Sequence, residues 1–247
     1  MKNTTNIAPI LKIKNLKKSF GDNHVLNGFN IKLFEGENLV LMGKSGSGKS
    51  VMIKCLVGLM QPDSGSIEIM GKDITKLSQN EFNDLRTEIG FLFQGSALYD
   101  SMTVRENLEF PLRKQKRRAE DIEKLVYYAL ESVGLAEAID LMPEELSGGM
   151  KRRVALARAV ILKPKIIIYD EPTTGLDPIT AKEIIQLMRN IQQTYKTSSL
   201  IITHDVDCAR VISNRMVLLI NGINYAEGTF KELSSSTDKK IQAFFKS

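Results

Sequence analysis

Gly43-Lys44-Ser45-Gly46-Ser47-Gly48-Lys49-Ser50 constrains this chain more than any other stretch. The segment satisfies G-x-x-x-x-G-K-[ST], and it sits between the apolar run 38–42 and a helical pattern over 49–59. A glycine-rich turn between strand and helix cradles phosphate. Without Cβ atoms its backbone N–H groups close in on the anion, and the helix start adds a positive end. On this chemistry Lys49 reaches the β- and γ-phosphates of a nucleotide, and the Ser50 hydroxyl ligates Mg2+. Gly43, Lys44, Ser45, Gly46, Ser47, Gly48, Lys49, Ser50 and Val51 are therefore the candidate nucleotide-binding residues.

Around the loop, short apolar runs alternate with longer helical patterns, the rhythm of an α/β protein with a mainly parallel sheet. Strands are expected near 11–14, 28–33, 38–42, 66–70, 89–93, 165–169, 199–203 and 215–220. Apolar residues at three- and four-residue spacing predict helices over 49–59, 119–133, 147–162, 179–195 and 206–213. From Gly95 to Leu162 strands are scarce, so that segment reads as a helical insertion in an α/β core.

With 247 residues, 43% of them hydrophobic, the chain can bury a core without a disulfide or metal staple. Its longest apolar runs, such as Ile166-Ile167-Ile168, are strand-sized and far short of the ~18 residues of a membrane span. The polar opening Met1 to Asn6 precedes no signal-like apolar region, which sets the expectation of a cytoplasmic chain with Cys55 and Cys208 as buried thiols. A net charge of +5 does not select among nucleotides, acidic lipid and nucleic acid. The densest basic run, 113–118, suits either a solvated helix entry or contact with anionic head groups. Ser234-Ser235-Ser236 reads as a loop, and the apolar ending 241–245 is expected to dock on this subunit or a neighbour.

Ile166-Ile167-Ile168-Tyr169-Asp170-Glu171 is an apolar strand ending in two carboxylates, where α/β sheets place their ligands. Strand alternation points the two acids to different sides, so Asp170 serves Mg2+ while Glu171 polarises an attacking water. His204 follows the strand-like Leu200 to Thr203, either as a γ-phosphate contact or as a structural histidine.

Leu146-Ser147-Gly148-Gly149-Met150-Lys151-Arg152-Arg153 resembles the signature sequence of ABC-transporter ATPases. The phosphate loop, Asp170-Glu171, Gly175-Leu176-Asp177 and Thr203-His204-Asp205 stand in that family's order, so the resemblance covers nearly the whole chain. It implies an α/β P-loop NTPase with a RecA-like core, an N-terminal antiparallel β subdomain and an inserted helical subdomain. The single ATPase domain would span 9–247, with the core at about 9–94 and 163–247 and the helical subdomain at about 95–162. ATP and Mg2+ are the implied ligands, and the implied assembly is a head-to-tail homodimer with ATP at the interface. There Ser147 and the N–H groups of Gly148 and Gly149 would close over the other subunit's ATP. By the same resemblance Asp177 is the interface aspartate, and Gln94 links the γ-phosphate and Mg2+ to a membrane partner. Phe20 corresponds to the aromatic that stacks on adenine, although core packing is an alternative for it.

Within the family, Met150 stands where most relatives have Gln, and the phosphate loop runs into Ser50-Val51. Together with Phe93 to Tyr99, Thr103 to Leu108 and Gly175 to Thr180, these features look like the ATPase of Mla-type phospholipid transporters. Gly95-Ser96 reverses the Ser-Gly of that group. This likeness implies a peripheral subunit on the cytoplasmic face of an inner membrane, driving lipid between inner and outer membranes without touching it. Its partners would be an Mla-type permease and an MCE-domain lipid-binding protein. Rival readings are an ATPase for another ABC substrate, or a regulatory ABC ATPase of the cell-division kind that acts on a membrane protein without transport. An ABC protein acting on nucleic acid usually has two cassettes or a large coiled-coil insertion; neither is present, so no nucleic-acid partner is expected.

Overall fold

The structure, a computed structural model, describes residues 8–113 and 117–245, so Lys114, Gln115 and Lys116 of the basic run lie outside it. The strands are β1 Leu11–Phe20, β2 Asn23–Leu33, β3 Asn38–Met42, β4 Ser64–Ile69, β5 Lys72–Asp73, β6 Ile89–Leu92, β7 Ile166–Asp170, β8 Ser198–Thr203, β9 Arg215–Ile220 and β10 Ile223–Gly228. The helices are α1 Lys49–Leu56, α2 Gln79–Arg86, α3 Val104–Glu109, α4 Ala119–Glu131, α5 Gly148–Val160, α6 Pro178–Tyr195, α7 Val206–Ile212, α8 Phe230–Ser234 and α9 Lys239–Gln242. These elements form two compact units, residues 8–86 with 198–245, and Thr87–Thr197.

In the first unit β3 runs parallel to β8 on one side and β9 on the other, with β10 antiparallel on β9. Every residue of β3 and β8 is buried. Their apolar stretches 39–42 and 200–202 are those of strands covered on both faces. Leu39, Leu41 and Ile201 are fully enclosed, each contributing about 1.5–3 kcal/mol of burial. A second sheet, in the order β2-β1-β4-β5, is antiparallel and alternates: Leu11, Ile13, Ile31 and Leu33 point inward, while Lys12, Lys14, Asn30 and Lys32 between and beside them are exposed or half-exposed. Helix α1 stops at Leu56, three residues before the expected end. Gly58 turns left-handed at φ 73° and lets Leu59 N–H return to the Lys54 carbonyl. A Cβ on Gly58 would lie 2.1 Å from the Phe82 ring, so this turn also seats α2.

The apolar ending docks on its own unit. Ile241 is buried and the Phe245 ring meets Phe230 edge-on at 5.5 Å. Ser234 is the last residue of α8 and Ser235 caps it, while Ser235 and Ser236 lie in the expected loop before the last helix, α9. Cys55 and Cys208 are buried and form no disulfide among the described residues, and burial pushes the Cys55 thiol up.

In the second unit β6 and β7 pair in parallel, and α5 packs against β6, α3, α4 and α6. Gly90 allows the closest approach: a Cβ there would stand 2.3 Å from the Ala159 carbonyl oxygen on α5. Helix α4 turns Val126, Ala129 and Leu130 inward, and α3 opens with a capping box between Thr103 and Glu106.

Several carboxylates hold local structure through backbone donors. Hydrogen bonds from Tyr225 and then the Lys240 N–H keep Asp238 below the usual carboxylate range, and the Lys18 side chain and then Ser19 N–H do so for Asp63. Lowered folded values mean stability that is complete above about pH 4 and is lost as pH falls through them. The urea midpoint is expected to hold from pH 7 to about 5 and to drop steeply below about 4. An unchanged midpoint at pH 3 would contradict this assignment.

Candidate functional site

The phosphate loop leaves β3 at Gly43 and enters α1 at Lys49. Gly48, the residue before the helix, has φ 105°, and a Cβ there would press on the Val25 carbonyl at 3.0 Å. A Cβ on Gly43 would fall 2.3 Å from Ser47 Oγ, itself buried without a hydrogen-bond partner among the described residues. The loop is closed by Ser47 N–H donating to the Lys44 carbonyl at 3.1 Å. Lys49 Nζ folds back over it, donating to the carbonyls of Gly43 at 2.6 Å and Lys44 at 3.3 Å. Its ammonium is thus held on the loop that its sequence position predicts it to serve. Lys44, Ser45, Gly46 and Ser50 are exposed, and Val51 is half-buried. A cavity of about 720 Å3 opens beside the loop, walled by His24, Val25, Lys44 and Ser45, by Lys240 from α9 and by Phe244 just after it.

The same unit places His204 near this chemistry through register. Met42 pairs with Thr203 across β3 and β8, so Gly43 and His204 leave the sheet at the same edge. His204 is exposed, and the backbone after it is fixed by Asp205. That side chain caps α7 through Asp207 and Cys208 N–H, while Asp205 N–H donates to Thr203 Oγ1. Phe20 ends β1 opposite Asn23, with 49% of its surface exposed and Lys18 Nζ 5.7 Å from the ring centre. An exposed ring is available for stacking, which disposes of core packing as its role.

The second unit assembles the remaining residues. Leu92 pairs with Tyr169, so the segment carrying Gln94 and the pair Asp170-Glu171 leave β6 and β7 at one edge. The expected strand alternation stops one residue short. β7 ends at Asp170, and Glu171 has a left-handed φ of 49°, so the turn and not the pleat aims its carboxylate. Glu171 is buried, Asp170 half-buried and Gln94 exposed. Thr174 Oγ1 donates to Glu171 Oε2 at 3.2 Å.

Ser147 caps α5, its Oγ accepting Met150 N–H at 3.2 Å, and nothing stands within 4 Å of where a Gly148 Cβ would be. A Cβ on Gly149 would meet Thr180 Cγ2 at 2.8 Å, so the signature helix start lies against the first turn of α6. Asp177 caps that turn through Ile179 and Thr180 N–H, and the Thr180 hydroxyl, ahead of those N–H groups, lowers its pKa.

Two arginines of α5 complete the arrangement, and sequence reasoning assigned them no role. Arg152 is buried and donates to the Phe93 carbonyl at 2.9 Å and the Thr174 carbonyl at 3.3 Å. Arg158 donates to the Ser96 carbonyl at 3.1 Å and lies over the Tyr99 ring. Gln94 and Gly95 are thus held between two anchored carbonyls. A usable signal existed for Arg152: it shares an apolar helical stripe with Ala155, Leu156 and Ala159.

The ABC transporter family model matches residues 26–174. The intermembrane phospholipid transport system ATP-binding protein MlaF of Haemophilus influenzae is 37% identical over 238 residues, 96% of this chain and 90% of that protein. A probable ribonucleotide transport ATP-binding protein, mkl of Mycobacterium leprae, is 39% identical over 95% of this chain and 68% of its own length. Among solved structures, dimeric MJ0796, described as a bacterial ABC transporter cassette, superposes with a TM-score of 0.81 at 33% identity, covering 89% of this chain and 98% of that one. With its phosphate loop, acidic strand end and signature helix in the family's order, the chain belongs to the ABC transporter family as an ATP-hydrolysing cassette.

Proposed function

We propose that this ATPase powers phospholipid transport between inner and outer membranes, working as a homodimer on the cytoplasmic face of the inner membrane. Its partners on this reading are an Mla-type permease and an MCE-domain lipid-binding protein. One observation carries the lipid assignment: the likeness to MlaF runs along 96% of this chain and 90% of that one. Residues 9–247 then act as one ATPase domain with 95–162 as its helical part.

The chemistry is divided among named groups. N–H groups of the 43–51 loop and the Lys49 ammonium hold the triphosphate, and Phe20 stacks on the adenine. Ser50 and Asp170, with the Gln94 side chain, offer the hard oxygen donors that Mg2+ takes alongside substrate phosphates. When bound, Mg2+ neutralises charge on the β- and γ-oxygens. Glu171 accepts a proton from water as the water oxygen attacks the γ-phosphorus; the bond from that phosphorus to the β–γ bridging oxygen breaks, releasing ADP and phosphate. His204 orients the γ-phosphate. Ser147, Gly148 and Gly149 close over the ATP of the second subunit, beside Asp177. Gln94 passes the state of the nucleotide to the permease. An apolar groove of about 410 Å3, lined by Phe91, Phe93, Tyr99 and Phe110, lies by the Gln94 segment and suits a permease segment.

The test is to tag the Glu171→Gln variant, extract membranes gently with ATP and identify what co-purifies by mass spectrometry. A permease with an MCE-type protein and enriched phospholipid is the expected result. Recovery with a division-type membrane protein, with another substrate's permease, or without partners would leave the ATPase and remove the lipid assignment.

A further inference from the structure

Glu171 sits in a conformation that its own backbone disfavours. A non-glycine residue at φ 49° is strained and persists only where its surroundings hold it. Thr174 N–H closes the turn on the Glu171 carbonyl at 3.3 Å, and two side-chain hydrogen bonds then bear on Thr174 and the carboxylate. Thr174 Oγ1 donates to Glu171 Oε2 at 3.2 Å, and the Thr174 carbonyl accepts from Arg152 at 3.3 Å. Arg152 is 4% exposed, and its second guanidinium nitrogen is committed to the Phe93 carbonyl at 2.9 Å. Its Nε, also buried, has no hydrogen-bond partner among the described residues. Burial is the one influence that moves its pKa, downward. A buried guanidinium held by carbonyl dipoles alone is costly. An apolar residue of similar volume would fill the space at less expense, so filling space does not account for this side chain.

We infer that Arg152 is a positioning residue for Glu171: it fixes Thr174, and through the Thr174 hydroxyl it aims the Glu171 carboxylate. The same guanidinium fixes the carbonyl next to Gln94, so the aim of Glu171 and the position of the Gln94 segment depend on one side chain. The inference rests on the proposed role of Glu171 in accepting the water's proton. It goes beyond that role by naming what sets the geometry, and it assigns Arg152 no contact with substrate.

The test is steady-state ATPase kinetics on the full chain, with activity expressed per folded protein from thermal melts. Displacing a catalytic group by about 1 Å can cost as much as 100-fold in rate. A smaller reorientation is expected here, so Arg152→Gln and Thr174→Val should each lower kcat by about tenfold with KM for ATP within about twofold. Because both act on the same carboxylate along one path, the double variant should be no more than about twofold slower than the slower single. Thr174→Ser, which keeps the hydroxyl, should restore the rate. A purely structural arginine would instead lower the melting temperature while leaving kcat per folded molecule unchanged. Losses that multiply to about 100-fold in the double variant would mean independent effects and would overturn the inference. Should Arg152→Gln not fold, Arg152→Lys, paired with Thr174→Val, carries the same cycle. Glu171→Gln assayed in parallel separates the two levels. If it hydrolyses ATP at the unaltered rate, the role of Glu171 fails. If it is inactive while the Arg152 and Thr174 variants keep full kcat, only the present inference fails.

Discussion

Glu171→Gln is expected to retain ATP and to lose hydrolysis by about 10²- to 10⁴-fold, the range over which a positioned proton acceptor contributes. Gln matches Glu in shape, and its amide oxygen can still accept from Thr174 Oγ1, so the buried turn at φ 49° should survive the change. What is lost is the capacity to take a proton. With ATP bound and unspent, the signature residues Ser147 to Gly149 should stay closed over the second subunit's nucleotide, and the variant should elute as a dimer in size-exclusion chromatography with ATP. Elution as a monomer at saturating ATP would count heavily against the head-to-tail scheme. Unchanged turnover would remove Glu171 from the reaction.

Lys49→Ala should abolish tight ATP binding. Its ammonium donates to the Gly43 and Lys44 carbonyls, which keeps the charge over the loop where a triphosphate would arrive. Charge-assisted hydrogen bonds contribute roughly 1.5–3 kcal/mol each. Losing two contacts to phosphate therefore weakens binding by about 10²- to 10⁴-fold. Equilibrium dialysis measures this directly, and a melting curve without nucleotide shows whether the loop still folds. Equal ATP binding by the variant would overturn the assignment of the 43–51 segment.

Much of this arrangement was legible because it is local. The cradle needs glycines at fixed offsets, and Gly43, Gly46 and Gly48 announce it. The strands β3, β7 and β8 are apolar runs bounded by polar residues, so period and length find them. Elements that bury little were missed. α2 turns only Phe82 and Leu85 inward, and β10 has no fully buried residue among Ile223–Gly228. β1 and β2 extend to Phe20 and back from Asn23 because antiparallel pairing carries half-exposed residues that no hydrophobic pattern marks. The left-handed turn at Glu171 was illegible for a different reason: glutamate has no preference for that region, and the rest of the structure imposes it. Arg152 could be seen as a charge on an apolar stripe, but its partners are the carbonyls of Phe93 and Thr174. Every residue has a carbonyl, so such a contact leaves no mark in the identity of the residue that accepts it.

The anchoring of Phe93 and Ser96 to α5 has a mechanical meaning. A segment clamped on both sides of Gln94 and Gly95 has almost no compliance of its own, since each clamp is a charged donor on a carbonyl and α5 is pressed against β6 at Gly90. A push delivered to Gln94 therefore does not dissipate as loop motion. It loads the helix, so Gln94 and the Ser147 to Gly149 turn at the start of α5 are joined by a single stiff rod; on the proposed function that rod would join the permease to the second subunit's nucleotide.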